Sequence, residues 1–217
     1  MDFNWNIFLE SWPALLKGCI VTAELSVISI VAGTIIGTLG GVARFSKFRL
    51  LSGLMSIYVT IFRAVPMLVT LLFIYYGMPA AGVQLNAFTV AIIALSLTNG
   101  AYVTEIVRGG VESIDPGQMR AASSLGMPYG LAMRRIILPQ ALRRVLAPIT
   151  NESITLLKST SLVSTIALSD VLRAGLDVMA WKANTFSPFA GVALCYLVLT
   201  LPLLTLNDYL EKRYRVT

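Results

Sequence analysis

Residues 119–144, MRAASSLGMPYGLAMRRIILPQALRR, interrupt an otherwise greasy chain with five arginines and prolines at 128 and 139. The stretch carries start and stop signals for short helices in water. Just before it, Asp115 suits an N-cap, Pro116 the first helical position, and Gln118 the third residue of an Asp-x-x-Gln capping box. Gly126 supplies the left-handed residue that ends that helix. Pro128 suits the start of a second helix, and Pro139 is expected to interrupt that one after Leu138. The reading is a short helix, a tight turn and another helix, all outside the bilayer. Ala121, Ala122, Ser123 and Ser124 give the first helix a small-sided surface, suited either to a partner's groove or to anionic headgroups.

The surroundings explain why this segment stands out. Of 217 residues, 56% are hydrophobic and only 13% charged, and the mean hydropathy is +0.77. Soluble domains carry about 25% charged residues, so the bilayer is the expected solvent. Alternating ten-residue strands of a barrel are absent from the pattern. The class is all-α, a polytopic membrane protein in a single domain over 1–217. Five transmembrane helices are expected, at about 15–42, 64–82, 88–107, 145–168 and 189–206, with a cytoplasmic loop over 108–144. In the first, Gly33, Gly37 and Gly41 recur every four residues and leave one face nearly bare for close packing. The second is started at Ala64, because a continuous span from Leu50 would put Arg63 mid-bilayer at about 2.5–3.5 kcal/mol. Residues 50–62 then lie along the interface and Arg63 snorkels.

Lysine and arginine alternate between loops. None falls in the first sixteen residues; the 43–63 loop has Arg44, Lys47, Arg49 and Arg63. Loop 77–87 has none, segment 108–144 has six, and the tail has Lys212, Arg213 and Arg215. The positive-inside rule then puts the N-terminus outside and the C-terminus in the cytoplasm. The first segment lacks the basic n-region of a cleaved signal, so it is expected to stay and insert itself.

Composition excludes other classes. The net charge of +6 sits beside apolar spans, not in a stripe interleaved with aromatics, which argues against nucleic acid. Histidine is absent, removing the commonest metal ligand. Cys19 and Cys195 read as small buried hydrophobes without a disulfide framework. No paired carboxylates or nucleophile–base set suggests an enzyme, and no Gly-x-x-x-x-Gly-Lys-Ser/Thr loop is present to cradle phosphates. No metal or cofactor is expected.

The fourth span is unusually polar. Asn151, Thr155, Lys158 and Thr165 share one helical face, and Ser161 borders it. Intramembrane charge usually lines a cavity or finds a partner. Lys158 is therefore read as meeting either a substrate carboxylate or another span's acid, such as Glu105. Glu152 meets either a substrate amine or the cytoplasmic interface. Asn99 and Ser96 on the third span are further candidates for a substrate path. Glu105 and Arg108 read as an interfacial pair that positions the loop.

The stretch GQMRAASSLGMPYGLAMRRIILPQA resembles the coupling loop, or EAA loop, of ATP-binding-cassette importer permeases. Ala121, Ala122, Gly126, Leu138 and Pro139 match that pattern. FRAVPMLVTLLFIYYGMP, NGAYVTEIVRGGVESIDPGQ and NESITLLKSTSLVSTIALSDVL are similar to the polar amino-acid uptake subfamily. The resemblance covers about residues 15–210. It implies a type I importer permease fold in the bacterial cytoplasmic (inner) membrane, with a second permease subunit, two ATPase subunits that bind the ATP, and an external amino-acid-binding protein. It also implies that Arg120, Ala121, Ala122, Ser123, Ser124, Leu125, Gly126, Leu138 and Pro139 form the contact with the ATPase. Arg120 stands where the family pattern has glutamate, a reversal affecting an exposed pair worth about 0–1 kcal/mol. The competing class is an ion-coupled secondary carrier, which commonly shows an inverted repeat; none is visible here.

Overall fold

The computed structural model describes residues 3–45 and 48–214. Lys47 and Arg215, counted above among the loop cations, lie outside the described residues. Among those described, every regular element is helical: α1 (Trp5–Arg44), α2 (Arg49–Ala64), α3 (Met67–Ala80), α4 (Ala87–Glu112), α5 (Pro116–Ser124), α6 (Tyr129–Ala132), α7 (Leu138–Ser159), α8 (Val171–Lys182) and α9 (Phe186–Tyr214).

The scaffold is the pairing of α1 with α4, the most extensive helix contact in the chain. Its basis is the bare face read from the sequence, widened by Gly40. A methyl group added to Gly33 would lie 2.4 Å from the Asn99 amide nitrogen, and one on Gly37 2.4 Å from Val103 Cβ. Gly40 faces Thr104, and Gly41 faces Val107. The approach is backbone against side chain along just over two turns, which supplies dispersion contacts where lipid offers no hydrophobic drive. The opposite side of α1 presents Val27, Val31, Ile35 and Leu39, all more than half exposed and all apolar, as a lipid-facing surface requires.

The crossings expected at about 15–42 and 189–206 lie within the longer helices α1 and α9, and that at 88–107 lies within α4. α2 and α3 bend by 105° at Val65–Pro66. Proline lacks an N–H and pushes the residue before it into extended geometry, and Val65 has φ −86°, ψ 128°. Among the described residues, three helices are long and apolar enough to cross a bilayer, or four if the bent pair is one span. The segment expected as the fourth crossing, 145–168, lies in α7 and a following 3₁₀ turn, Thr160–Ile166. Its arginines, Glu152 and Lys158 make α7 too polar to be counted with the others. Arg63 stays exposed at the end of α2 and lies over the Tyr102 ring at 5.4 Å.

Asp170 caps α8 from a fully buried position, accepting from Arg173 N at 2.9 Å, Leu172 N at 3.2 Å and the Tyr196 hydroxyl at 3.2 Å. Burial holds its carboxyl above the usual carboxylate range, against those hydrogen bonds.

The loop between α4 and α7 folds largely as its signals direct. Asp115 Oδ1 accepts from Gly117 N at 2.7 Å. Gly126 has φ +76°, its N–H bonds Ser123 O at 2.9 Å, and Met127 N bonds Ala122 O at 3.1 Å, the paired closure of a Schellman motif. The expected break at Pro139 does not occur. Residues Met133–Ile137 form a π-helical turn that runs straight into α7, with Pro139 in its first turn. A wide turn absorbs one extra residue and accommodates the missing proline N–H, so the helical path continues.

Replacing Gly37 with alanine should destabilise the protein by about 1–3 kcal/mol, since the methyl has no room. Gly77→Ala, which meets nothing within 4 Å, should cost nothing. Thermal unfolding of the two variants in one detergent separates the cases.

Candidate functional site

The bend between α2 and α3 faces α4 and α7 across a cavity of about 400 Å³. Its chemistry comes from Arg63, at the end of α2, Thr98, Asn99 and Tyr102 on α4, and Glu152, Thr155 and Ser159 on α7. Met67, Leu95 and Leu156 supply apolar wall. The cavity thus offers one cation, one carboxylate and one amide within a greasy frame.

The amide is the informative group. Asn99 is 3% exposed, and neither its Oδ1 nor its Nδ2 has a hydrogen-bond partner. Thr98 Oγ1 and Ser96 Oγ are likewise buried without one. Each such group forfeits about 1–3 kcal/mol of hydration. Natural folds keep these groups only where something else offsets the loss. The α7 hydroxyls are different: Thr155 Oγ1 donates to Asn151 O at 3.1 Å and Ser159 Oγ to Thr155 O at 2.9 Å.

Arg63 is held from the other side by an ion cluster. Glu105 lies 2.8 Å from Arg108, 3.6 Å from Arg63 and 3.9 Å from Arg44. Arg108 also pairs with Glu112 one turn on. A second cavity of about 480 Å³ borders this cluster and shares Arg63, Ala64 and Tyr102 with the first. The Glu105–Arg108 pair expected from the sequence is therefore one edge of a larger set that links α1, α2 and α4.

Of the residues singled out for a substrate path, the structure brings Asn99, Glu152 and Thr155 to one cavity. Asn151 and Lys158 are exposed and do not line it, and Ser161 is half-buried beyond the end of α7. Among the described residues no acid lies within 4.0 Å of Lys158, so it does not pair with Glu105, which the arginines occupy. Arg63, Thr98 and Tyr102 were missed. Only the unusual arginine before a Val-Pro break signalled any of them.

On the loop side, Arg120, Ala121, Ser123, Ser124, Leu125 and Gly126 are exposed, with Leu125 81% exposed at the tip. Ala122 is buried. It points back to the loop, which hangs on a small core of Ile114, Ile137 and Ala141 packed by Met119, Met133 and Ile136. Leu138 and Pro139 lie on the exposed side of the following turn. Arg144 Nη1 donates to Ser113 Oγ at 3.0 Å and ties the start of α7 to the end of α4.

A helical bundle with a partly polar cavity, helices with apolar outer faces and a short polar elbow fits one class: a membrane permease subunit. Comparison makes it specific. Residues 29–216 match the family described as binding-protein-dependent transport system inner membrane component, and the chain belongs to that family. It is 35% identical to the arginine transport system permease protein ArtQ of Bacillus subtilis (strain 168), over 99% of both chains. It is 33% identical to the glutamine transport system permease protein GlnP of Escherichia coli (strain K12), over 100% of both. A crystal structure of an amino acid ABC transporter with histidines superposes with a TM-score of 0.93 at 33% identity, covering 98% of this chain and 100% of that one. The MetNI methionine ABC transporter in an inward-facing form shares the fold, with a TM-score of 0.76 at 18% identity over 93% of this chain and 96% of that one. The fold is that of the type I importer permeases.

Replacing Asn99 with leucine removes the two unpartnered buried atoms and keeps the volume. Folded stability should change by less than about 1 kcal/mol, while transport by the assembled system falls at least tenfold. Unfolding and uptake assays on the same preparation check both halves.

Proposed function

We propose that this chain is the translocation subunit of an ATP-driven importer of amino acids, and that the cavity between α2, α4 and α7 is where the substrate passes. The carrying observation is the buried, unpartnered amide of Asn99 between one cation and one carboxylate. An α-amino acid brings both charges and several hydrogen-bonding atoms in one small molecule. Glu152 is suited to its ammonium group, and Arg63, supported by Asn99, to its carboxylate. Charge-assisted hydrogen bonds of this kind are the strong ones. The relatives' assignments to arginine, glutamine and methionine support the substrate class.

The family implies ATPase partners and a second permease. In this reading two such chains enclose the path, an external binding protein delivers the amino acid, and two ATPase subunits seat the α5 elbow on the cytoplasmic side. The N-terminus then lies outside and the C-terminus inside. Arg120, Ala121 and residues 123–126 are the seat, with exposed Leu125 as the apolar contact and Gly126 as its fixed corner. Leu138 and Pro139 lie beside it. ATP is bound by the partner chains, and this chain contributes the path and the lever.

In vesicles containing the full assembly, uptake should require internal ATP and persist when ion gradients are collapsed. Uptake that follows an ion gradient without ATP would establish a secondary carrier in its place. Gly126→Val forces a β-branched residue into φ +76°. It should leave the chain in the membrane and let ATP hydrolysis continue, while uptake per ATP drops severalfold. Parallel measurement of phosphate release and transport checks this.

A further inference from the structure

The chain holds two cysteines, one near the start of α1 and one near the start of α9, and both are free. The helices that carry them run in the same direction. Asn4 N donates to Ser187 Oγ at 2.8 Å, and a methyl added to Gly191 would meet Leu15 at 2.5 Å and Ser11 at 3.6 Å. One turn further along both helices, Cys19 follows Leu15 and Cys195 follows Gly191. This register sets Cys19 beside Cys195 across the α1–α9 seam. Cys195 is 4% exposed in a cluster with Leu15, Val171, Ala174 and Val192, and half-buried Cys19 packs against that cluster. A cysteine side chain ends one bond beyond Cβ, so cysteines facing each other in this register leave little backbone distance to close for a disulfide.

We infer that Cys19 and Cys195 are an oxidative cross-linking site, able to form a reversible disulfide that staples α1 to α9 when a disulfide-bearing oxidant reaches Cys19. The Cys19 thiolate attacks one oxidant sulfur, giving a mixed disulfide and releasing one small thiol. The Cys195 thiolate then displaces the second thiol from Cys19. Two S–H bonds are lost from the protein, one S–S bond forms, and the oxidant is reduced to two thiols. The site lies near the ends of α1 and α9 that the charge pattern assigns to the outer, oxidising side, where disulfides persist. It stands apart from the cavity and from the elbow, so its test is independent of the transport reading.

The test uses the full chain in its native membranes with 2,2′-dithiodipyridine as oxidant. After denaturation the chain is alkylated with a maleimide polymer and weighed intact. The expected result is a fall from two adducts to none, a monomeric chain lighter than the reduced form by two hydrogens, and recovery of both adducts after dithiothreitol. Cys19→Ser and Cys195→Ser chains should show no such two-hydrogen loss. Two adducts after oxidation, a pyridylthio group retained on either cysteine, or a disulfide-linked dimer would each overturn the site.

Discussion

The structure depends on how closely α1 and α4 approach. Four glycines on α1 remove the side chains that would hold the two helices apart. α4 answers with Asn99, Val103, Thr104 and Val107 seated on bare backbone. That seating fixes the depth and rotation of α4, and with it every group α4 offers to the interior. Asn99 is wedged against Gly33 and cannot turn away to find a partner. Tyr102 and Glu105, one turn on, receive Arg63. A looser pairing would let these groups drift and satisfy themselves locally.

The electrostatics follow from that frame. Glu105 faces three arginines from three helices. The cluster ties α1, α2 and α4 together and holds Arg63 between two cavities. Glu152 on α7 is left without an ion pair among the described residues. One carboxylate is consumed by structure and another is kept available, and this division gives the cavity its polarity. Charge inside a membrane is expensive, so its arrangement here carries information about what the cavity receives.

Much of this was legible in the chain itself. The glycine spacing gave the α1 packing face, the Asp115–Pro116 start and Gly126 stop gave α5, and the cost of Arg63 in mid-bilayer set a new segment at Ala64, close to the α2–α3 bend. The cavity was legible only in part. Helical spacing groups residues on one element, and it grouped Lys158 with Asn151 and Thr155. The cavity is made by three elements, and only the fold sets Arg63 and Tyr102 opposite Glu152. Pro139 was misleading for a local reason: proline stops a regular α-helix, but the π turn ahead of it removes the conflict. The sulfur pair was invisible because 175 residues separate its members and parallel helices bring them together.

The uninterrupted helical path from Tyr129 through the π turn and α7 to Ile166 has a mechanical meaning. No slack loop lies between the elbow and Glu152. A push on the corner at Gly126 travels along a strut and arrives at the cavity as a twist or a slide of its wall. The opposing wall, clamped by glycine contacts and arginine pairs, stays where it is. In the importer reading proposed above, the chain is a crank beside a fixed post, and its stroke is set by the length of that strut and not by the softness of a hinge.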